Sequence, residues 1–147
     1  MWNEIITSQD IECFLNQIDY FADSCIKEMR YVTGSYAQGR SLHALDDRRD
    51  LCILFHSISN YLDPINTDML KNRKLNADYN SFEIKFSYVH KLMLEHSAEC
   101  DSVIYDTTLI KKDGLFYWYD YREDNIPNFT PNGTMVAAEK MSWRFIF

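Results

Sequence analysis

The stretch from Phe82 to Leu94 constrains the fold more than any other part of this 147-residue chain. Over these thirteen residues the even positions are apolar apart from one histidine, and the odd positions are mostly polar or charged. Since successive side chains of a β-strand point to opposite faces, the alternation predicts a long strand with one buried and one wet face. Val89 breaks the pattern, which predicts a bend there. The even set is Phe82, Ile84, Phe86, Tyr88, His90, Leu92 and Leu94.

A hairpin is predicted at Asp113-Gly114, which separates two runs of β-forming residues at 103–110 and 115–121. An Asp-Gly pair in this setting is a strong signal for a two-residue turn. The register that such a turn predicts is Lys112 opposite Leu115, Ile110 opposite Tyr117 and Leu109 opposite Trp118.

Near the N-terminus, apolar residues at Ile11, Phe14, Leu15 and Ile18 form one stripe at helical spacing. Together with the N-capping side chains just before it, this stripe predicts an amphipathic helix over residues 8–19.

The remaining segments are assigned from composition and turn signals. Residues 21–33 fit a strand or a helix, and the β-formers that precede Gly34 favour a strand which that glycine ends. The apolar run Leu51–Phe55 predicts a strand buried on both faces. A terminal strand over 134–147 is also predicted. Loops are expected at 39–50, 59–80 and 122–133.

Together these elements predict a single α+β domain spanning residues 1–147. In this fold one N-terminal helix packs on a curved, predominantly antiparallel sheet of six to seven strands. The sequence leaves the order of the strands open.

Charge limits the choice of partners. The chain has 15 Lys and Arg against 22 Asp and Glu, a formal net charge of −7. An acidic surface disfavours nucleic acid and favours a basic protein partner, although modest charge also serves solubility alone. With no signal peptide and no long apolar stretch, we expect a cytoplasmic protein with no membrane contact. In that compartment we expect buried free thiols at Cys13, Cys25, Cys52 and Cys100.

Catalytic motifs are not evident in the sequence. There is no Gly-rich phosphate loop and no Gly-x-Ser-x-Gly elbow, so a non-enzymatic protein without a cofactor or metal is expected. A rival interpretation is a small metal-dependent hydrolase that uses His90 or His96 with a nearby carboxylate. A divalent ion there could take His96, Cys100 and a carboxylate as ligands. The spacing of these residues matches no established zinc pattern.

The aromatic strand at 115–121 is the most informative feature for function. Phe116 and Trp118 point to one face, and three tyrosines point to the other. Either a second layer or a dimer partner buries both faces, or the tyrosines form an exposed interface with an acidic rim. The predicted binding residues are Tyr117, Tyr119, Tyr121, Glu123 and Asp124.

Four segments carry a resemblance to known proteins: Phe21-Ala22-Asp23-Ser24, the run from Ile26 to Gly34, Tyr117-Trp118 and Trp143-Arg144. They resemble a pattern in small bacterial proteins of the immunity type, which are encoded beside secreted toxins. In that pattern a histidine often precedes the aspartate of the first segment, but here Ala22 takes its place, so no metal or acid-base role is carried over. The resemblance implies a compact α+β binding protein without catalytic residues.

The function predicted from these observations is non-catalytic binding of another macromolecule, with immunity to a toxin as the sharpest form. The alternative is a β-rich domain that binds a small ligand in a cavity of its sheet.

Overall fold

A computed structural model describes residues 1–57, 80–95, 103–104 and 106–146 of the chain, leaving out the side chains of 44–47 and 80. Within these ranges the chain forms one α-helix and eight β-strands. They are β1 (Asn3–Ile5), α1 (Ser8–Gln17), β2 (Ser24–Gln38), β3 (Ser41–Ser57), β4 (Asn80–Met93), β5 (Val103–Ile104), β6 (Thr108–Lys112), β7 (Leu115–Tyr119) and β8 (Met135–Ile146).

The strands form one antiparallel sheet in the order β5-β2-β3-β4-β8-β7-β6, and β1 pairs with β8. The sheet is open, with β5 and β6 at its edges. The predicted α+β class, with one helix and a mostly antiparallel sheet, is confirmed. The predicted six to seven strands were too few, because the described residues contain eight. The 59–80 loop prediction lies almost wholly outside the described residues.

Helix α1 is shorter than the predicted 8–19 and ends at Gln17. Its start is fixed by a capping box, in which the Thr7 hydroxyl accepts from the Asp10 amide (3.1 Å) and the Asp10 carboxylate accepts from the Thr7 amide (2.8 Å). The buried stripe faces the sheet, as its spacing predicts. There Phe14 packs against Phe21, Phe82 and Trp143.

Strands β2 and β3 extend further than the sequence predicted. The strand over 21–33 is confirmed from Ser24 onward, but Gly34 does not end it, and the loop expected at 39–50 is mostly strand. The two strands meet at Gly39, whose φ of +61° suits a tight turn. Gly34 instead lies where the register shifts, between the pairs Thr33–Arg49 and Ser35–Ala44.

Part of this hairpin leaves the sheet. Strand β4 pairs with β3 only from Asp50 onward, and β5 pairs with β2 only at Ser24 and Cys25. Residues 33–49 therefore form a two-stranded extension, here called the distal ribbon, with no further strand beside it in the described part of the chain.

The run Leu51–Phe55 lies in the centre of the sheet. Leu51, Ile53 and Phe55 are buried, whereas Cys52 and Leu54 are half-buried. The prediction of burial on both faces was therefore wrong. The α1 side of the strand lies in the main core, and the other side is only partly covered.

Strand β4 and its bend are confirmed. Tyr88 has a φ of +54°, and the register with β8 shifts between Val89 and Lys91. The bend interrupts the alternation, because Val89 is buried whereas Tyr88 is half-buried and His90 is exposed, while Leu92 still packs against the main core. His90 was expected on the apolar face, and that was wrong, because its side chain is half exposed.

The β6–β7 hairpin has the predicted register at all three pairs. Gly114 adopts a φ of +80° and Asp113 a φ of +52°, as a tight turn of this kind requires. The terminal strand is confirmed as β8, which lies between β4 on one side and both β7 and β1 on the other.

The prediction of buried free thiols is only partly confirmed. Cys13, Cys25 and Cys52 are free, but Cys13 is exposed and the other two are half-buried. Burial raises the pKa of the Cys52 thiol, so the reactive thiolate forms less readily. Cys100 lies outside the described residues.

Candidate functional site

The predicted tyrosine row does not form an exposed surface. Phe116 and Trp118 enter the main core, and the opposite face of β7 carries a smaller core that contains Tyr117 and Tyr119. Tyr119 is fully buried and Tyr117 is 5% exposed. Of the two possibilities for this strand, the structure shows burial of both faces, and the second layer is the segment 120–134 of the same chain.

The buried tyrosines hold this covering segment in place. The Tyr119 hydroxyl donates to the Asn128 carbonyl (3.0 Å) and accepts from the Asn128 amide (2.8 Å). Tyr121 is half-buried, and its hydroxyl donates to Glu123 (2.6 Å), which also accepts from the Asn128 side chain (2.8 Å). The middle of the segment, at Asn128, is thus tied to β7 through the Tyr119 hydroxyl, and its first part is held by the bond between Tyr121 and Glu123.

These contacts explain the acid-base properties of the cluster. Burial, followed by the hydrogen bond to Glu123, raises the pKa of Tyr121 to about 12. The same hydrogen bond, with those from Asn128 and Asn125, lowers the pKa of Glu123. Glu123 is therefore an acceptor that stabilises the segment, and Asp124, beside Arg122, is the fully exposed acid of the predicted rim.

Asp120 anchors the other end of the segment. Its carboxylate accepts from the Thr134 amide (2.9 Å), and burial raises its pKa. Gly133 passes so close that a Cβ there would lie 2.4 Å from the Asp120 carboxylate and 2.7 Å from the Tyr121 ring. The backbone must approach at this point, which only glycine allows.

Of the two histidines that the sequence suggested as metal ligands, the structure describes His90. His90 lies 3.4 Å from Glu139, and both side chains are about half exposed. His96 and Cys100 lie outside the described residues. Within the described ranges, no three His, Cys, Asp or Glu side chains gather in a way that could hold a metal ion.

The distal ribbon carries large exposed apolar groups. Leu42 is 88% exposed and Tyr36 is 45% exposed, and the Tyr36 ring stacks on His43 at 5.0 Å between centroids. The cross-strand pairs Tyr36–His43 and Ala37–Leu42 follow one another along the ribbon, so the Tyr36–His43 stack lies on one face and Leu42 on the other. Both pairs border a shallow concavity.

A second distinctive surface lies around α1. The first 26 residues contain no Lys, Arg or His, and five Asp or Glu. After α1, a 3₁₀-type turn at Asp19–Phe21 has positive φ throughout, which buries Phe21 and leaves Tyr20 43% exposed. The Tyr20 hydroxyl bonds to Glu12 of α1, which raises the pKa of the tyrosine.

A cleft of about 500 Å³ opens between β1 and the β6–β7 hairpin. It combines apolar walls with lysines from three strands, and no sequence pattern predicted it. Its floor is the part of β8 around Glu139 and Lys140.

Comparison with known proteins adds no relative, since no protein family, curated protein or solved structure matches this chain. The helix in the described ranges has ten residues, far fewer than the roughly 20 that a bilayer crossing needs.

Sequence reasoning missed the distal ribbon and the cleft. The ribbon had one usable signal, the β-formers Tyr36 and Leu42 on either side of Gly39, but the charged run after them suggested a loop. The cleft has no signal of its own, because it lies where two strands distant in sequence stop along a third.

Proposed function

We propose that this chain is a non-catalytic binding protein that covers a surface of a basic partner protein, as an inhibitor or immunity protein does. The observation that carries the proposal is the distal ribbon, which leaves the sheet and exposes large apolar side chains.

The side chains of the ribbon suit a protein contact. The ribbon exposes a flexible apolar group, Leu42, on one face and the rigid, stacked Tyr36–His43 rings on the other. Such groups gain most when a partner removes them from water, and aromatic residues are enriched at interfaces for this reason. Tyr31 and Val32, which point to opposite faces of β2 just before the ribbon, are also exposed, at 44% and 48%.

The backbone of the ribbon suits a contact as well. Because β4 and β5 stop before residues 33–49, both ribbon edges present main-chain groups along the described chain. An extended segment of a partner can add to such an edge and form main-chain hydrogen bonds, while side-chain pockets give specificity.

The charge of the molecule favours a basic partner over a second copy. Two chains with a formal charge of −7 repel each other, whereas a cationic protein is attracted and meets this chain faster. The N-terminal 26 residues concentrate negative charge without any cation. Asp124 adds an exposed acid, and it is the part of the sequence-predicted rim that we retain as a steering group.

The proposal is tested by capture of partners from the native cytoplasm and by titration calorimetry with the purified partner. The ribbon variant is Tyr36→Ala with Leu42→Ser, and the matched control is Leu94→Ser, another exposed leucine outside the ribbon. We expect the ribbon variant to weaken binding at least about 30-fold, equivalent to about 2 kcal/mol, and the control to bind like the wild type.

Three results would contradict the proposal. The first is that no protein binds saturably. The second is a partner that binds the ribbon variant and the control equally. The third is sedimentation showing a micromolar homodimer that only the ribbon variant loses, which would make the ribbon a self-association surface instead.

A further inference from the structure

The cleft beside β8 originates in a gap of the sheet. Strand β7 pairs with β8 up to Ala138, and β1 pairs with it from Met141 onward. On that edge of β8, Glu139 and Lys140 have no strand beside them in the described part of the chain. The gap between the two neighbouring strands leaves a concavity of about 500 Å³, within the range of small-ligand sites.

The walls of the cleft are apolar on the side of the main core. Ile5, Phe116 and Met141 belong to that core, and Trp2 and Ile6 of the N-terminal segment close the opposite side. An apolar ligand body placed here would lose its contact with water against a rigid surface.

The charges in the cleft are mixed, since three lysines and two glutamates line it. Lys85 lies 3.8 Å from Asp50, and Glu139 lies 3.4 Å from the imidazole of His90. Glu4 also lines the cleft, as an exposed acid at its mouth. Two lysines remain, Lys111 and Lys140.

Neither of these two lysines forms an ion pair within the described ranges. The Lys111 ammonium donates to the Ile6 carbonyl (2.8 Å) and lies 5.0 Å from the centre of the Phe116 ring. Lys140 lies over the Tyr88 ring at 5.6 Å. Both ammonium groups are thus placed by neutral contacts and keep donors for a further anion.

We propose that the cleft between β1 and the β6–β7 hairpin binds a small amphipathic anion, with an apolar body against Phe116 and Met141 and an anionic head at Lys111 and Lys140. The shared chemistry is a short aliphatic or aromatic group that carries a carboxylate or a phosphate. This site is independent of the distal ribbon, and its test does not depend on a protein partner.

The test uses octanoate and monooctyl phosphate as anionic probes and octanol as the neutral probe, titrated calorimetrically into the purified full-length chain. The variants are Lys111→Met and Lys140→Met, which keep most of the aliphatic stem and remove the charge. The control is Lys112→Met, since Lys112 is exposed, donates to the Ile126 carbonyl and does not line the cleft.

We expect one saturable site for at least one anion, at least tenfold tighter than octanol. Each cleft variant should weaken anion binding about fivefold or more, and Lys112→Met should leave it within twofold. Comparison of the two anions distinguishes a carboxylate ligand from a phosphate ligand.

The proposal fails if neither anion binds saturably at millimolar concentration. It also fails if octanol binds as tightly as the anions, because the lysines then contribute nothing. Equal weakening by all three lysine variants would indicate general charge attraction rather than this cleft. Because two separate lysines are replaced, misfolding of one variant, seen by circular dichroism, leaves the other as the test.

Discussion

Replacement of Tyr119 by phenylalanine tests whether the predicted binding tyrosines instead hold the segment 120–134 against the sheet. The change keeps the ring in the smaller core and removes only the hydroxyl, which joins both backbone groups of Asn128. The matched control is Tyr117→Phe, on the same face of β7, because the Tyr117 hydroxyl has no hydrogen-bond partner among the described residues.

The magnitude follows from the two hydrogen bonds that are lost. Each contributes about 1 kcal/mol, and more when the remaining group stays buried without a partner. Asn128 is half-buried, so water can reach part of it, and the expected loss is about 1–2 kcal/mol in the free energy of unfolding. For a chain of 147 residues the unfolding entropy is about 0.3 kcal/mol/K, which gives a Tm lower by about 3–6 °C.

The assay is urea unfolding of the wild type and both variants, followed by tryptophan fluorescence, with thermal unfolding as a second measurement. Limited proteolysis adds a local measurement, since trypsin should cleave faster after the already exposed Arg122 when the segment is loosened. If Tyr119→Phe unfolds within about 0.5 kcal/mol of Tyr117→Phe, the hydroxyl does not hold the segment and the reasoning is refuted.

Two further predictions concern stability. Phe14→Ala removes ring contacts of α1 with the sheet and should lower the free energy of unfolding, measured in urea, by about 3–5 kcal/mol. The control Gln9→Ala, on the exposed side of the helix, should change it by less than about 0.5 kcal/mol. Similar losses for the two variants would show that Phe14 does not anchor the helix. Because burial raises the pKa of Asp120, its contribution to stability is full at low pH and is lost as pH rises through the folded pKa. Asp120→Asn, which keeps an acceptor for the Thr134 amide, should therefore gain stability relative to the wild type between about pH 3 and pH 7 in urea titrations; a constant difference would contradict this.

Local patterns in the sequence determined the elements themselves. The alternation from Phe82 predicted β4 because the period of a strand depends only on the backbone. The Asp113-Gly114 pair predicted the hairpin register because both residues tolerate the positive φ that the turn requires. The stripe of α1 predicted its buried face for the same local reason, the spacing of side chains along a helix.

The ends of a strand were harder to predict from the sequence where the strand consists of polar residues. The distal ribbon is held by cross-strand backbone pairing rather than by burial, so hydrophobic periodicity gives little sign of it. The bend could be placed near Val89 from the sequence, but the exposure of His90 could not, because it depends on the register shift against β8 between Val89 and Lys91.

The candidate sites were decided by the tertiary structure. Whether Tyr117 and Tyr119 face solvent or a second layer depends on the path of residues 120–134, and the alternation of β7 is the same in both cases. The cleft depends on where β1 and β7 stop along β8. Strand β1 precedes β8 by more than 100 residues in the sequence. Local patterns specify which side chains share a face, but only the assembled sheet specifies what covers that face and where it is left open.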